Sequence, residues 1–577
     1  MVHMKLYTEY GERLNRNRPL PNYPRPQLER DNFTMLNGMW YYQITKRDEQ
    51  YHDEWKPICV PFPLGSELSG TDENLEPGQA VYYFKRFEYH CTGARTFLNF
   101  EAVDQCCEIY LNQMYVGHHE GGYLPFSIDV TTIIEESNEL IVKCWDDTTE
   151  SIYATGKQSL NPGGIWYKPF AGIWQSVWLE ETGEHYIEDV TITPYYDQKS
   201  VLFQIKGYYD QAVITIAENG KSVAKVMTID KQFTYTFEDF VPWSPDDPHL
   251  YEVYIETEDD VVKSYFGMRK FERKADTHGY QRFYLNDEPL FLSGLLDQGY
   301  TPDGLVTYCD DRLMVQELKK VKEMGFNMLR KHVKIENRRW YYHCDRLGIL
   351  VMQDMVNSMG PYNPWLITVK GMLGSEVSDK KYKTFGVTPE GKNEYIRQID
   401  LTIQHLYNVT SIFAWVVFNE GWGQFDSVDM AQRVAYMDDS RLVDHASGWF
   451  DQGAGDFFSR HVYFRKYKHK LDPVNRIIFL SEFGGYSYVE CGHAVVSKSF
   501  GYKHFKDKLV LDDAIGKLFR NEILPAIPKG LAGCIYTQVS DVENECNGLM
   551  TYDRKIVKID EEDMFEINEA MRKAMTQ

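Results

Sequence analysis

At 577 residues the chain exceeds what one hydrophobic core organises, so two to four domains are expected. A net charge of −23 argues against nucleic acid or an anionic membrane as partner, and no run of about 18 apolar residues offers a transmembrane helix. Ten cysteines without framework spacing, and an N-terminus without an apolar signal core, point to reduced thiols and a cytoplasmic location.

Residues 1–183 read as short alternating strands separated by Gly, Asn and Pro turns. Examples are Arg95-Thr96-Phe97-Leu98-Asn99-Phe100 and Glu108-Ile109-Tyr110-Leu111-Asn112. Period-2 patterning with that punctuation predicts an antiparallel β-sandwich. A second β segment, residues 184–275, has the size of an immunoglobulin-like β-sandwich. Aromatic residues make up 15% of the chain. They suit sandwich cores and sugar faces equally, so they decide nothing alone.

From residue 276 to 577 strands alternate with helices. Residues 310–324 place Met314, Leu318 and Val321 on one face, with aspartates at the start and Gly325 past the end, which predicts a capped amphipathic helix. Residues 394–408 repeat the pattern with Ile396, Ile399, Ile403 and Leu406. Eight strand candidates begin at Leu290, Phe326, Ile349, Ile412, Leu442, Phe457, Ile477 and Gly533. The 252 residues from Leu290 to Asp541 match the ~250 of a (β/α)8 TIM barrel.

Two of these strands end in a carboxylate. Phe413-Ala414-Trp415-Val416-Val417-Phe418-Asn419-Glu420 closes the fourth and Ile477-Ile478-Phe479-Leu480-Ser481-Glu482 the seventh, each followed by glycine-bearing turn residues. Such apolar strands belong in a parallel sheet covered on both faces, and the C-terminal ends of barrel strands carry the chemistry. Strands four and seven lie across the mouth, so both carboxylates can meet in one cleft. Glycosidic bond cleavage needs that pair.

Phe418-Asn419-Glu420-Gly421-Trp422 resembles the acid/base signature of glycoside hydrolase family 2, and Phe479-Leu480-Ser481-Glu482-Phe483-Gly484 its nucleophile segment. Val116 to Phe126 and Tyr167 to Leu179 resemble the family's sugar-binding jelly roll, and Gly325 to His332 a further barrel motif. The resemblance spans roughly residues 35 to 555 in the family's order. It implies that Glu420 is the acid/base, Glu482 the nucleophile, and Asn419 a hydrogen-bonding partner of the sugar 2-hydroxyl. Arg330 matches an arginine that orients the nucleophile. Around the same rim, His332 and Asp354 could hold sugar hydroxyls, His461 and Tyr463 follow strand six, and Trp449 follows strand five. Tyr536 or Gln538 stands where many members carry a platform tryptophan near the end of strand eight.

The expected activity is that of a retaining exo-β-glycosidase, with β-galactosides as first substrate on family frequency. A β-glucuronidase or other uronidase is the alternative, although the Asn-x-Lys clamp of the family's glucuronidases is missing and only Arg554 or Lys555 could substitute. A non-catalytic carbohydrate-binding protein is the reading from another class. Transglycosylation would use the same intermediate. The expected partner is a carbohydrate, and a homo-oligomer stays open. No motif marks a metal or a cofactor.

Overall fold

The computed structural model describes residues 5–148, 151–357, 365–371, 377–496 and 499–575. The N-terminal unit packs two antiparallel sheets face to face. One has four strands in the order Phe33–Met35, Val177–Thr182, Arg95–Phe100, Phe126–Asp129. The other has six, with Gln79–Glu88, Ser137–Trp145 and Cys106–Leu111 at its centre. Leu98, Phe100, Val177 and Leu179 from the first meet Val81, Tyr83, Ile109 and Val142 from the second in one dry core. The next unit repeats the plan with three and four strands. Its strand Tyr251–Glu256 alternates strictly between buried and half-buried residues, as period-2 patterning requires.

The barrel strands are β1 (Leu292–Asp297), β2 (Met328–Lys331), β3 (Leu350–Asp354), β4 (Ile412–Val416), β5 (Leu442–Asp444), β6 (Phe457–Val462), β7 (Ile477–Gly484) and β8 (Leu531–Thr537). All pairs are parallel, in the order β5-β4-β3-β2-β1-β8-β7-β6. The eight expected strand starts fall within two residues of these. Among the described residues β5 and β6 form no ladder. Their seam is stitched by Asp456, whose N–H donates to the Val443 carbonyl (2.7 Å) and whose carboxylate accepts from the Val443 N–H (2.8 Å), and by Ser459 donating to Asp444.

The helix predicted over 310–324 is α1 (Asp311–Glu323), capped by the Asp310 carboxylate on the Arg312 N–H; Gly325 follows at φ +83°, a conformation that favours glycine. The helix expected over 394–408 runs instead over Pro389–Leu406, because Thr388 caps the Gly391 N–H and Pro389 sits in the first turn. At the bottom of the barrel, a hairpin (Phe271–Ala275 with Gln281–Leu285) pushes Phe283 against Phe413, ring centres 5.1 Å apart. Met328, Met352, Phe457 and Phe479 complete that apolar floor.

Candidate active site

The top of the barrel is charged where its floor is apolar. Arg330, near the end of β2, is fully buried and holds three side chains together. Its guanidinium grips Asp354 of β3 in a fork (2.8 and 3.0 Å), and also donates to Asn419 Oδ1 (2.8 Å) and Glu482 Oε1 (3.2 Å). His332 donates to Asp354 as well (2.7 Å). Both Asp354 oxygens are therefore engaged. Asp354, a sugar-binding candidate in the sequence, anchors Arg330 and His332 here.

Glu420 lies four residues beyond β4, where its N–H donates to the Ser447 carbonyl (3.0 Å) and its backbone adopts φ +48°. Glu482 lies within β7, register partner of His461 on β6. His461 stands between the two carboxylates, its Nδ1 2.7 Å from Glu420 and 3.5 Å from Glu482. Its Nε2 faces two donors, the Ser447 hydroxyl (3.2 Å) and Arg330 Nη1 (3.5 Å), so Nε2 accepts and Nδ1 carries the proton. Burial pushes the His461 pKa down to about 4, which keeps the ring neutral. One carboxylate oxygen each from Glu420 and Glu482 and one nitrogen of His461 lie within 4.8 Å of one another.

The two carboxylates differ in their surroundings. Glu482 accepts from Arg330 and from the Tyr463 hydroxyl (2.6 Å), which in turn accepts from Thr537 (2.7 Å). Burial raises the Glu482 pKa, and His461, Arg330 and Tyr463 oppose the rise. Glu420 accepts from His461 only among the described side chains, and burial pushes its pKa up to about 7. Two carboxyls with unequal environments can divide acid and nucleophile work. The Asn419 amide nitrogen is buried with no hydrogen-bond partner among the described residues, a donor left unused beside Glu420.

A cleft of about 650 Å³ opens above Glu420 and His461, walled by Trp166, Trp422, Trp449 and Tyr463. Trp449 thus stands on the rim. Tyr536 does not. It is 0% exposed, its ring packs on Phe483 and Phe519, and its hydroxyl accepts from the Tyr486 N–H. Side chains alternate along a strand, and its neighbour Thr537 turns to the Tyr463 hydroxyl, so Tyr536 faces the other way. Gln538 is held by Gln298 and Asn547. Arg554 is buried on Glu317 and Lys555 pairs with Glu12, so neither reaches the cleft.

The sequence reading missed Lys157. This lysine comes from the N-terminal unit, is 5% exposed, and places its ammonium 4.9 Å from the Trp422 ring centre and 5.7 Å from that of Trp166. Among the described residues its ammonium makes no hydrogen bond or ion pair, while its carbonyl accepts from the Tyr167 N–H. Burial lowers its pKa, while Glu545, Glu482 and Glu420 act the other way. Only the fold brings it here, since nothing in residues 150–160 resembles a site motif.

Three family models match the chain in order. They are "Glycosyl hydrolases family 2, sugar binding domain" over residues 76–182, "Glycosyl hydrolases family 2" over 185–269, and "Glycosyl hydrolases family 2, TIM barrel domain" over 279–482. A β-galactosidase of Thermoanaerobacter pseudethanolicus is 27% identical over 308 residues, 48% of this chain and 39% of that protein. The β-galactosidase large subunit of Lactobacillus helveticus is 24% identical over 405 residues, 66% of this chain and 59% of that protein. The chain thus spans about 39% to 59% of the length of these curated relatives. In fold it is similar to a β-glucuronidase of an uncultured Clostridium sp., with TM-score 0.73 and 16% identity over 95% of this chain and 99% of that one. It is also similar to a β-galacturonidase of Eisenbergiella tayi bound to galacturonate, with TM-score 0.70 and 16% identity over 96% and 99%.

Proposed function

We propose, for a chain that belongs to glycoside hydrolase family 2, a retaining exo-β-glycosidase that releases terminal β-linked sugars, β-galactosides first. The observation that carries this reading is that one oxygen of Glu420 and one of Glu482 lie within 4.8 Å of each other, close enough to act on one glycosidic bond. Retaining enzymes hold their carboxyls ~5–5.5 Å apart, whereas inverting ones leave ~6.5–9.5 Å for a water. Glu482, held by Arg330 and Tyr463, attacks the anomeric carbon and forms a covalent glycosyl ester. Glu420 gives its proton to the departing oxygen and then takes one from the incoming water. The Asn419 amide donates to the 2-hydroxyl as the ring flattens. A binding-only protein would need neither the paired carboxylates nor their unequal environments. Ten unpaired cysteines support a reducing compartment, and no helix among the described residues is long and apolar enough to cross a membrane.

Lys157 favours a second reading, a sugar acid as the glycone. A buried ammonium without a counter-ion is costly, and a substrate carboxylate would supply one. The test is hydrolysis of p-nitrophenyl β-glycosides (galactoside, glucuronide, galacturonide, mannoside, glucoside) with Glu482→Gln alongside. Turnover of the galactoside by the wild type alone supports the first reading. Turnover of a uronide, lost in Lys157→Met, supports the second. A Glu482→Gln variant at wild-type rate would sink both.

A further inference from the structure

Beyond the carboxylates, the mouth of the cleft carries a charge opposite to that of the chain. The loop after β6 reads Phe464-Arg465-Lys466-Tyr467-Lys468-His469-Lys470, five basic residues in seven, in a protein of net charge −23. Arg465 and Lys470 line the cleft itself, with Arg460 of β6 beside them. Among the described residues none of Arg460, Arg465, Lys466, Lys468 or Lys470 makes an ion pair; nearby Arg476 is paired with both Asp451 and Asp472. Among the described residues Glu420 is the single acid lining this cleft.

Aromatic rings interleave with these cations. Tyr463 and Tyr502 stack with centres 3.7 Å apart, and Phe464, 69% exposed, leans its ring edge on Tyr502 at 5.0 Å. Its open face is available to stack on a sugar ring. Flat apolar faces bordered by unpaired cations suit a pyranose ring bearing a negative charge. The wall shares its cleft with Glu420, the carboxyl proposed to protonate the departing oxygen, so a leaving sugar would pass beside it.

From this juxtaposition we infer that the cleft mouth is an aglycone subsite for an anionic sugar residue, carrying a carboxylate or a sulfate ester, which Arg465 and Lys470 neutralise while Phe464 and Tyr502 cover its face. The inference rests on the glycosidase reading above. A basic loop that merely solvates the surface would show no preference between a neutral and an acidic leaving sugar.

The experiment uses disaccharides that share the glycone selected by the p-nitrophenyl series and end in glucose, glucuronate or glucose 6-sulfate. At low salt the wild type should favour an acidic leaving sugar by about tenfold in kcat/KM. Arg465→Ala/Lys470→Ala should bring that ratio to about one, mostly through KM, and added salt should do the same to the wild type. Preference for glucuronate alone identifies a carboxylate partner, and preference for the 6-sulfate alone a sulfate ester. A wild-type ratio near one, or a ratio that survives both substitutions, overturns the inference. Failure of every p-nitrophenyl glycoside overturns the glycosidase reading instead, so the two failures are separable.

Discussion

At the floor of the barrel Met328, Met352 and Phe479 pack around Phe413 and the hairpin's Phe283. Two or three residues further along the same strands stand Arg330, Asp354 and Glu482. The floor is held by filled volume, the rim by opposite charges that satisfy one another. Losing a floor side chain leaves a void, whereas losing a rim partner leaves an unpaired buried charge. Stability and chemistry are thus separable along single strands.

Glu482→Gln should break the rim's function most. We expect kcat to fall by about 10⁴-fold or more, with only a small change in thermal midpoint because Arg330 keeps its fork to Asp354. Phe479→Ala should do the reverse, lowering stability by about 3–5 kcal/mol while the remaining folded enzyme keeps its kcat. Denaturant titration paired with active-site counting separates the two; a large kcat loss in folded Phe479→Ala would erase the division. Glu420→Gln should cost about 10²–10⁴-fold on alkyl glycosides, and far less on p-nitrophenyl glycosides, whose leaving group needs no proton.

The pH profile sharpens the same contrast. With Glu420 pushed up to about 7, kcat/KM on alkyl glycosides should fall as pH rises through 7, when the acid loses its proton. The folded protein holds that proton and the unfolded chain releases it near the ordinary carboxylate value, so stability should also decline from about pH 4.5 to 7. Unfolding of Glu420→Gln at several pH values should show that slope removed. Smallest is Tyr463→Phe, which deletes one hydrogen bond to Glu482 and should slow turnover roughly tenfold.

Much of the rim was legible because a carboxylate that ends an apolar strand is conspicuous: Glu420 and Glu482 needed only the sequence. Strand starts were legible for the same reason, as at Ile412, Leu442, Phe457 and Ile477. The direction a side chain takes was not. Tyr536 and Thr537 are adjacent, yet one residue of register decides which meets the Tyr463 hydroxyl. Asp354 read as free to bind sugar because Arg330 and His332 converge on it only after folding. Lys157 was invisible because it arrives from a separate sandwich.

The seam between β5 and β6 has one more consequence. Glu420 hangs from the β4–β5 side, through its N–H on Ser447, while Glu482 is laddered to β6 through β7. Among the described residues the two carboxylates therefore face each other across the junction that no backbone ladder closes. Asp456, Ser459 and the His461–Ser447 contact span it. On this side only side chains tie the two carboxylates together, while the ladder β4-β3-β2-β1-β8-β7 joins their strands the other way round, so point substitutions at the seam can adjust their spacing on a frame that stays fixed.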